Sequence, residues 1–504
     1  MSSPHEPSPV IVPRWEWRTF STRFGPAEAA FAAMESTGVQ ETDELYLVSA
    51  TGDTVKIRHA LLDIKALREV DADGLERWEP VLKAEFPLAA ADVARLYEAL
   101  RLDAPALGRE AYTLDELLAD VVKPDGRIRA VEVHKRRVRY KVNGCTAEVS
   151  GVVADGRPIR TIAIEFEDAA AVVAAVRQVG LDGFINTSYP RALWALLEGR
   201  PERVAVLDVG TNSVKFRVVE RQAGEPWRPV VDRAEVTRLG EGIDETGDIA
   251  PAAIERTKVA IGAMADEARR LDAYAIVAVG TAGLRRAGNR DEVIGAIRAA
   301  TGVTIHVISG EDEARLAFLA TTSALGLGDE PIVVFDTGGG SSQFTFGHGS
   351  AVEERFSLEV GAVLYTERFG LDGAVGPDVV QAAREAIAAD LSRLDGRPTP
   401  TAIVGMGGGV TNITAVKHAL AVYDPDVVHG TVIDIAEIDR QIELYRSTDA
   451  DGRRSIVGLQ PARAEVILAG ACIVRTILDK LGRDSLVVSD RGLRHGLLTE
   501  RFEA

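Results

Sequence analysis

VAVLDVGTNSVKFRVV, residues 204–219, and IVVFDTGGGSSQFTFG, residues 332–347, follow one plan. Each opens with an apolar strand and reaches Asp, one residue, then Gly. Ser follows five residues after the Asp, and an alternating strand closes the unit. Asp208, Gly210 and Ser213 thereby match Asp336, Gly338 and Ser341. Two related strand–turn–strand units predict two similar lobes facing one another, near residues 201–328 and 329–504. A third glycine-rich turn, IVGMGGGVTN at 403–412, follows another apolar strand. Strands alternate with helical stretches through this half, the pattern of α/β layers.

Glycine-rich turns leave backbone N–H groups uncovered and let a phosphate come close. The candidate phosphate clamp is Gly210, Thr211, Asn212 and Ser213, then Gly338, Gly339, Gly340 and Ser341, then Gly407, Gly408 and Gly409. Asp208 and Asp336 open two of these turns and suit Mg²⁺ or another divalent cation, a hard ion that prefers oxygen. A bland alternative is a pair of Asx turns chosen for geometry. Two matching units and a third turn favour the functional reading.

Two further strands, in AYAIVAVGTAGLRRAGN (273–289) and VTIHVISGEDEARLAF (303–318), end in polar loops that enter helices. Such junctions are where α/β proteins bind anions. Arg285 and Arg286 follow the first, and Glu311, Asp312 and Glu313 open the helix after the second. Acids commonly complement a helix N-terminus. Hydrolysis of a phosphoanhydride also needs an oriented water, which a carboxylate can position.

The 504 residues suffice for two or three domains, and 27% charged with 46% hydrophobic residues is ordinary for a globular protein. Net charge is −18, against nonspecific nucleic-acid binding. Cys145 and Cys472 are the only cysteines, which excludes a disulfide framework. The start MSSPHEPSPVIVPRW has no signal-peptide pattern, and no apolar run is long enough to span a bilayer. The expectation is a cytoplasmic protein with no membrane or nucleic-acid partner, and with a disordered tail over residues 1–13.

Residues 14–200 read differently. Short strands such as WEWRTF, DELYLVSA, WEPVLKAEF, AVEVHKRRVRYKV and RTIAIEFED follow one another, interrupted by a helix at Ala90–Leu100. This predicts an antiparallel β-sheet or barrel with α+β character. Side-chain alternation places Arg14, Glu16 and Arg18 on one face, Arg137, Arg139 and Lys141 on another, and Glu165 with Glu167 on a third. Interior rows of both signs suit a barrel that holds phosphate and metal. A helix over Ala169–Val179 follows, and Gly199 and Pro201 mark the boundary.

The half from 203 to 500 resembles the exopolyphosphatase and guanosine pentaphosphate phosphohydrolase (Ppx/GppA) family, within the acetate/sugar kinase–actin superfamily. LDVGTNS (207–213), LGEGID (239–244), AVGTAGLRRAGN (278–289), ISGEDEARLAF (308–318), FDTGGGSS (335–342), SLEVGAV (357–363), VGMGGGVTN (404–412), GLQPARAEVILAGA (458–471) and SDRGLRHGLL (489–498) carry it. The resemblance implies an actin-like fold with a cleft between two ribonuclease-H-like lobes. It also implies Glu313 as catalytic base, Arg285 as phosphate binder, Asp208 and Asp336 near the metal, and Gly338 in the phosphate loop. The family's second phosphate loop ends in Glu where this chain has Gln343. Longer members carry a C-terminal helical extension that helps bind long polymers and make dimers, and nothing here corresponds to it; a homodimer stays open.

Residues 14–197 resemble the CYTH, or triphosphate tunnel, family through the opening strand, DELYL, VKIR (55–58), LKAEF (82–86), the KRR strand (135–137), Glu148 and AIEFE. That family opens with Glu-x-Glu-x-Lys, where this chain has Arg14-x-Glu16-x-Arg18. Phosphate binding would fall to Arg58, Lys83, Arg137 and Arg139. Together the resemblances imply release of phosphate from the ends of inorganic polyphosphate. The rivals are removal of the 5′ phosphate of guanosine pentaphosphate (pppGpp), a non-catalytic phosphate-binding or regulatory protein, and kinase-like transfer.

Overall fold

The computed structural model describes residues 13–503 apart from 212, 223, 242, 328 and 350. Residues 1–12 of the expected tail, and Asn212, lie outside the described residues. The chain divides into two units, one running to Val307 and taking in Arg501 onward, the other Ile308–Glu500.

The first unit begins with eight antiparallel strands closed into a barrel. They are β1 (Arg14–Ser21), β2 (Gly38–Val48), β3 (Thr54–Arg58), β4 (Leu61–Val70) and β5 (Glu76–Glu85). After the short pair β6 (Leu88–Ala89) and β7 (Ala111–Tyr112) come β8 (Arg129–Val142), β9 (Cys145–Ala154) and β10 (Arg157–Phe166). The order around the barrel is β1-β10-β9-β8-β2-β3-β4-β5, and β5 pairs back onto β1. Two hairpins set the β8–β9–β10 register. Asn143-Gly144 and Asp155-Gly156 both adopt positive φ, 49° and 82° then 46° and 77°. Two-residue turns of that kind match the twist of paired strands.

Alternation along these strands separates two faces. Outward-facing Leu47, Val55, Ile57, Leu62 and Ile64 pack under the helix Ala90–Ala99 through Val93 and Leu96. Inward-facing Phe20, Val48, Val131, Val133 and Val152 meet Tyr189 and Leu193 of the helix Tyr189–Leu197. This apolar layer floors one end of the interior. Above it the interior is charged, and the barrel is a cup rather than a packed core.

Glu44 is the hub of that charged interior. Its carboxylate receives Lys135 Nζ at 2.7 Å and Arg137 at 2.8 Å, with Lys56 at 3.6 Å and Arg58 at 3.7 Å. Burial alone would raise the Glu44 carboxyl; Lys135, Lys56 and Arg137 bring it down to about 2. Burial lowers the Lys135 ammonium to about 7, with Glu44 opposing the fall. Lys135 also donates to the Tyr46 hydroxyl at 2.6 Å and lies 3.6 Å over the Tyr189 ring.

The same unit continues into β11 (Glu202–Val209), β12 (Ser213–Arg221), β13 (Arg228–Val236), β14 (Ala275–Gly280) and β15 (Ile305–Val307). Their order is β13-β12-β11-β14-β15, with β11–β12–β13 antiparallel and β11–β14–β15 parallel. The helices Pro251–Arg270 and Arg290–Thr301 bury Ile261, Met264, Val293 and Ile297 in this sheet's core. Backbone bonds tie barrel to sheet: Ile185 N–H to Tyr274 O and Ile276 N–H to Gly183 O, each 2.8 Å. Phe502 is fully buried against Phe184 and Tyr274.

The second unit holds β16 (Ile332–Thr337), β17 (Ser342–His348), β18 (Ala351–Leu358), β19 (Ala402–Met406), β20 (Val432–Asp434) and β21 (Ser485–Val488). The order is β18-β17-β16-β19-β21-β20. Again three antiparallel strands are continued by parallel ones. The repeated sheet plan is the one the sequence echo predicts. The helix Ile467–Leu481 is buried along most of its length, which accounts for its near-continuous apolar sequence. Arg453 is wholly buried and donates to the carbonyls of Tyr445, Leu371 and Gly373 at 2.7, 2.7 and 2.8 Å.

Replacing Glu44 by Gln leaves the interior cations without their shared carboxylate. Removing one partner of a buried pair costs about 3–5 kcal/mol, so chemical denaturation should show a loss of that order. The folded-state pKa of Glu44 lies below its ordinary 4.5, so its contribution is complete above that value and is lost as pH falls toward about 2. Thermal melts from pH 6 to pH 2 should show a steeper acid loss for wild type than for Glu44→Gln.

Candidate active site

In the first unit, Asp208 is the penultimate residue of β11 and is 5% exposed. The following turn closes when the Gly210 amide donates to Ser213 O at 3.0 Å. Pairing of β11 with β12 sets Asp208 opposite Lys215, whose ammonium reaches the carboxylate at 3.2 Å. Asp208 therefore already carries one cation. Thr211 lies between two glycines that leave it room: a Cβ on Gly240 would fall 2.2 Å from Thr211 Cγ2, and one on Gly283 3.1 Å from its Oγ1. Gly283 belongs to the helix Ala282–Arg286, which carries half-buried Arg285 and exposed Arg286. Thr281 N–H donates to Val209 O at 3.2 Å, fixing this helix to the end of β11. The structure thus gathers Asp208, Gly210, Thr211 and the Arg285 helix within this unit.

In the second unit, Asp336 lies exposed near the end of β16. The Gly338 amide donates to Ser341 O at 2.9 Å, repeating the first turn. Ala362 and Val363 donate to Gly338 O and Gly339 O at 3.0 and 2.8 Å, so SLEVGAV braces the loop from behind. Gly340 has open space where a side chain would stand. Gln343, opposite Asp336 in the register, donates to Ser341 Oγ at 2.8 Å. The amide steadies the loop instead of offering a carboxylate.

Gly407, Gly408 and Gly409 form the first turn of the helix Gly407–Lys417, whose leading amides have no partner within the helix. Gly407 has φ +88°, and a Cβ there would lie 2.3 Å from Asp336 Oδ1. A Cβ on Gly408 would lie 2.6 Å from Arg463 Cζ. Asp336, the second glycine loop, the third glycine turn and the Arg463 guanidinium are thus neighbours. The combination of exposed amides and a guanidinium is suited to phosphate oxygens.

Glu313 sits in the first turn of the helix Gly310–Leu325, half-buried. Ser309 caps this helix, accepting from Asp312 N–H at 3.0 Å, and its hydroxyl donates to Asp312 at 2.8 Å. The cap commits Asp312 and leaves Glu311 exposed on the same turn. Phe318 of this helix packs with Ile332, Val334, Val404 and Met406, seating it on β16 and β19, the strands that lead to both glycine turns.

The barrel holds the other expected binding residues. Arg137 and Arg139 line a cavity of about 210 Å³, together with Glu16, Arg18, Glu148 and Glu165. Arg58 reaches Glu44 but is not among the lining residues, and Lys83, opposite Asp63 on β5, is exposed and outside the lining. Sequence reasoning missed Glu44, Lys56, Lys65 and Lys135 in the barrel and Arg463 in the second unit. Lys56 and Lys135 each stand two residues from a chosen arginine on the same strand face, which is a usable signal. Arg463 lay in view within GLQPARAE, but nothing local ties it to Gly408.

Among the described residues no cluster of three or more His, Cys, Asp or Glu side chains forms a ready metal cage. Mg²⁺ does not require one, since one or two carboxylates with water and substrate phosphates suffice. Asp336 fits that pattern, exposed beside two glycine-rich turns.

Residues 217–503 match the Ppx/GppA phosphatase family, more than half of the chain. Exopolyphosphatase 2 of Mycobacterium tuberculosis is 30% identical over 313 residues, covering 58% of this chain and 97% of that protein. The bifunctional 3-dehydroquinate synthase/phosphatase of Fusobacterium nucleatum is 28% identical over 313 residues. That alignment takes in 59% of this chain, which spans only 46% of the Fusobacterium protein. A crystal structure of the Aquifex aeolicus Ppx/GppA phosphatase superposes with a TM-score of 0.56 at 31% identity, covering 60% of this chain and 99% of that one. With its duplicated sheets, its paired Asp–Gly turns and these matches, the chain belongs to the Ppx/GppA phosphatase family.

Proposed function

We propose that this chain hydrolyses the terminal phosphoanhydride bond of inorganic polyphosphate and releases orthophosphate. The observation that carries this reading is the convergence of Asp336, the Gly338–Ser341 loop and the Gly407–Gly409 helix start in one unit. Relatives named exopolyphosphatase in Mycobacterium tuberculosis and Mycobacterium leprae support polyphosphate as the substrate.

In this reading the loop amides of Gly338, Gly339 and Gly340 and the helix-start amides of Gly407–Gly409 hold phosphate oxygens. Ser341 adds a hydroxyl and Arg463 a guanidinium. In the first unit Gly210, Thr211, Ser213 and Arg285 play the matching part. Glu313 orients water and accepts its proton as the phosphorus–oxygen bond to the leaving chain breaks. A divalent cation at Asp336 would supply charge neutralisation at the phosphate oxygens. Asp208 is the equivalent carboxylate of the first unit, and a cation held there would displace its contact with Lys215. Residues 201–504 form the phosphatase domain of this scheme, and residues 14–200 a separate barrel domain.

Glu313→Gln should lower orthophosphate release from polyphosphate by about 10²–10⁴-fold, the range for losing a general base, while leaving the melting temperature near wild type. Full activity in that variant would remove the mechanism, and assays on guanosine pentaphosphate in parallel would decide between the two substrates. Gln343→Glu adds a carboxylate opposite Asp336 and should lower the Mg²⁺ concentration needed for half-maximal rate. Gly407→Ala forces a side chain into a left-handed position against Asp336, a strain of about 1–3 kcal/mol. Its steady-state kinetics should show a fall in kcat/KM of about tenfold or more.

A further inference from the structure

Apart from the cup interior and the glycine turns, the first unit holds a larger cavity of about 670 Å³. That volume falls within the range of small-molecule sites, roughly 300–1,000 Å³. One wall is the outer side of the barrel, with Trp17 and the turn between β4 and β5, and the helix Ala169–Gln178. The opposite wall is β14 and the helix Arg290–Thr301. Trp17 alternates with inward-facing Glu16 and Arg18 along β1, so this space is separate from the cup. Trp17, Asp71 and Arg177 precede residues 217–503, and family membership assigns them nothing.

Much of the lining is apolar. Trp17, Val173 and Val176 stand on the barrel side, and Ile276 and Val303 on the sheet side. Gly295 lies in the interior of the helix Arg290–Thr301, where glycine costs about 1 kcal/mol relative to alanine. A Cβ there would meet nothing within 4 Å, so close packing does not require the glycine. Its lack of a side chain keeps the cavity wide.

Four arginines and four carboxylates also line the space. Most of them are committed. Arg298 pairs with Asp73 at 2.6 Å, and Arg191 pairs with Glu76. Arg269 is held by Asp266 at 3.0 Å and by the Thr301 carbonyl at 2.7 Å. Asp182 meets His306 at 2.9 Å. One group of each sign is left. Arg177 makes no ion pair within 4 Å among the described residues, and Asp71 accepts only from the Asp73 and Leu75 amides of its own turn, at 2.9 Å each. A polyanion would bring several charges to one available guanidinium. A simple cation would satisfy Asp71 and leave Arg177 unmatched. A ligand with one charge of each sign and an apolar body answers both groups and the walls between them.

We propose that this cavity binds a small zwitterion with an apolar body, a hydrophobic amino acid or dipeptide. Its carboxylate meets Arg177 and its ammonium meets Asp71. Its side chains lie between Trp17 and Val176 on one side and Ile276 and Val303 on the other. Gly295 leaves the room that the apolar body fills. The bound molecule touches barrel and sheet together and so tightens their packing within the first unit.

The test is isothermal titration of the full chain with L-leucine, L-phenylalanine and L-leucyl-L-phenylalanine. At least one should bind with Kd below about 1 mM and raise the melting temperature. N-acetyl-L-phenylalanine amide, which lacks both charges, should bind at least tenfold more weakly than the tightest of the three. Arg177→Gln and Asp71→Asn should each weaken binding by about tenfold, the size expected for one lost charge-assisted contact. Asp71→Asn keeps the oxygen that accepts the turn amides, so the turn survives. Gly295→Leu fills the open space with a better helix former. It should abolish binding while the melting temperature of the free chain stays at or above that of wild type. No binding by any of the three, equal binding by the uncharged amide, or undiminished binding in Gly295→Leu would each overturn the proposal. All of these readouts are taken without turnover, so they stand apart from the phosphatase reading.

Discussion

A glycine amide bonded to the serine carbonyl three residues on, 3.0 Å at Gly210 and 2.9 Å at Gly338, turns each core strand back on itself beside its aspartate. That closure keeps the turn short. A short turn brings neighbouring segments close, and glycines line it where they approach. The bracing segments follow from it. SLEVGAV donates two backbone bonds into the second loop, and a Cβ on Gly361 would fall 2.2 Å from Gly339 O. The same closeness explains Gly240 and Gly283 around Thr211. Gly240, Gly283 and Gly361 are therefore a consequence of close packing around the two Asp–Gly turns.

The barrel solves a different problem with a different expense. Its interior is charged where a packed barrel would be apolar, and burying charge is unfavourable unless each charge has a partner. Glu44 supplies the partner for the β3 and β8 cations, and Arg18 does the same for Glu16 and Glu148. The apolar floor contributed by Phe20, Val48, Val131 and Tyr189 keeps water out of one end and strengthens each of those contacts. Electrostatics in the upper layer and burial in the lower layer hold a cup of fixed shape.

Much of the architecture was legible in the chain. The Asp-x-Gly echo marked two related sheets, and the glycine run after Val404 marked a third glycine-rich turn. Less legible was how each candidate is engaged. Asp208 meets Lys215 because β11 and β12 pair in one register, and Gln343 turns to Ser341 because β16 and β17 pair in the equivalent one. Arg463 lies 55 residues beyond Gly408 in the chain, and no spacing rule links a surface loop to a helix start across that distance.

By itself the sequence determined the element types, the duplicated sheet plan and the residue chemistry available at each turn, because these depend on periodicity and on what glycine permits locally. It also determined that Arg137 and Arg139 share a strand face, since alternation is a local property. Only the tertiary structure decided that this face looks inward, that it meets Glu44 there, and that a helix from residues 189–197 stops one end of the cup. The reason is physical. A strand has two equivalent faces until the barrel closes, and closure is a cooperative choice made by all eight strands and the helices packed on them.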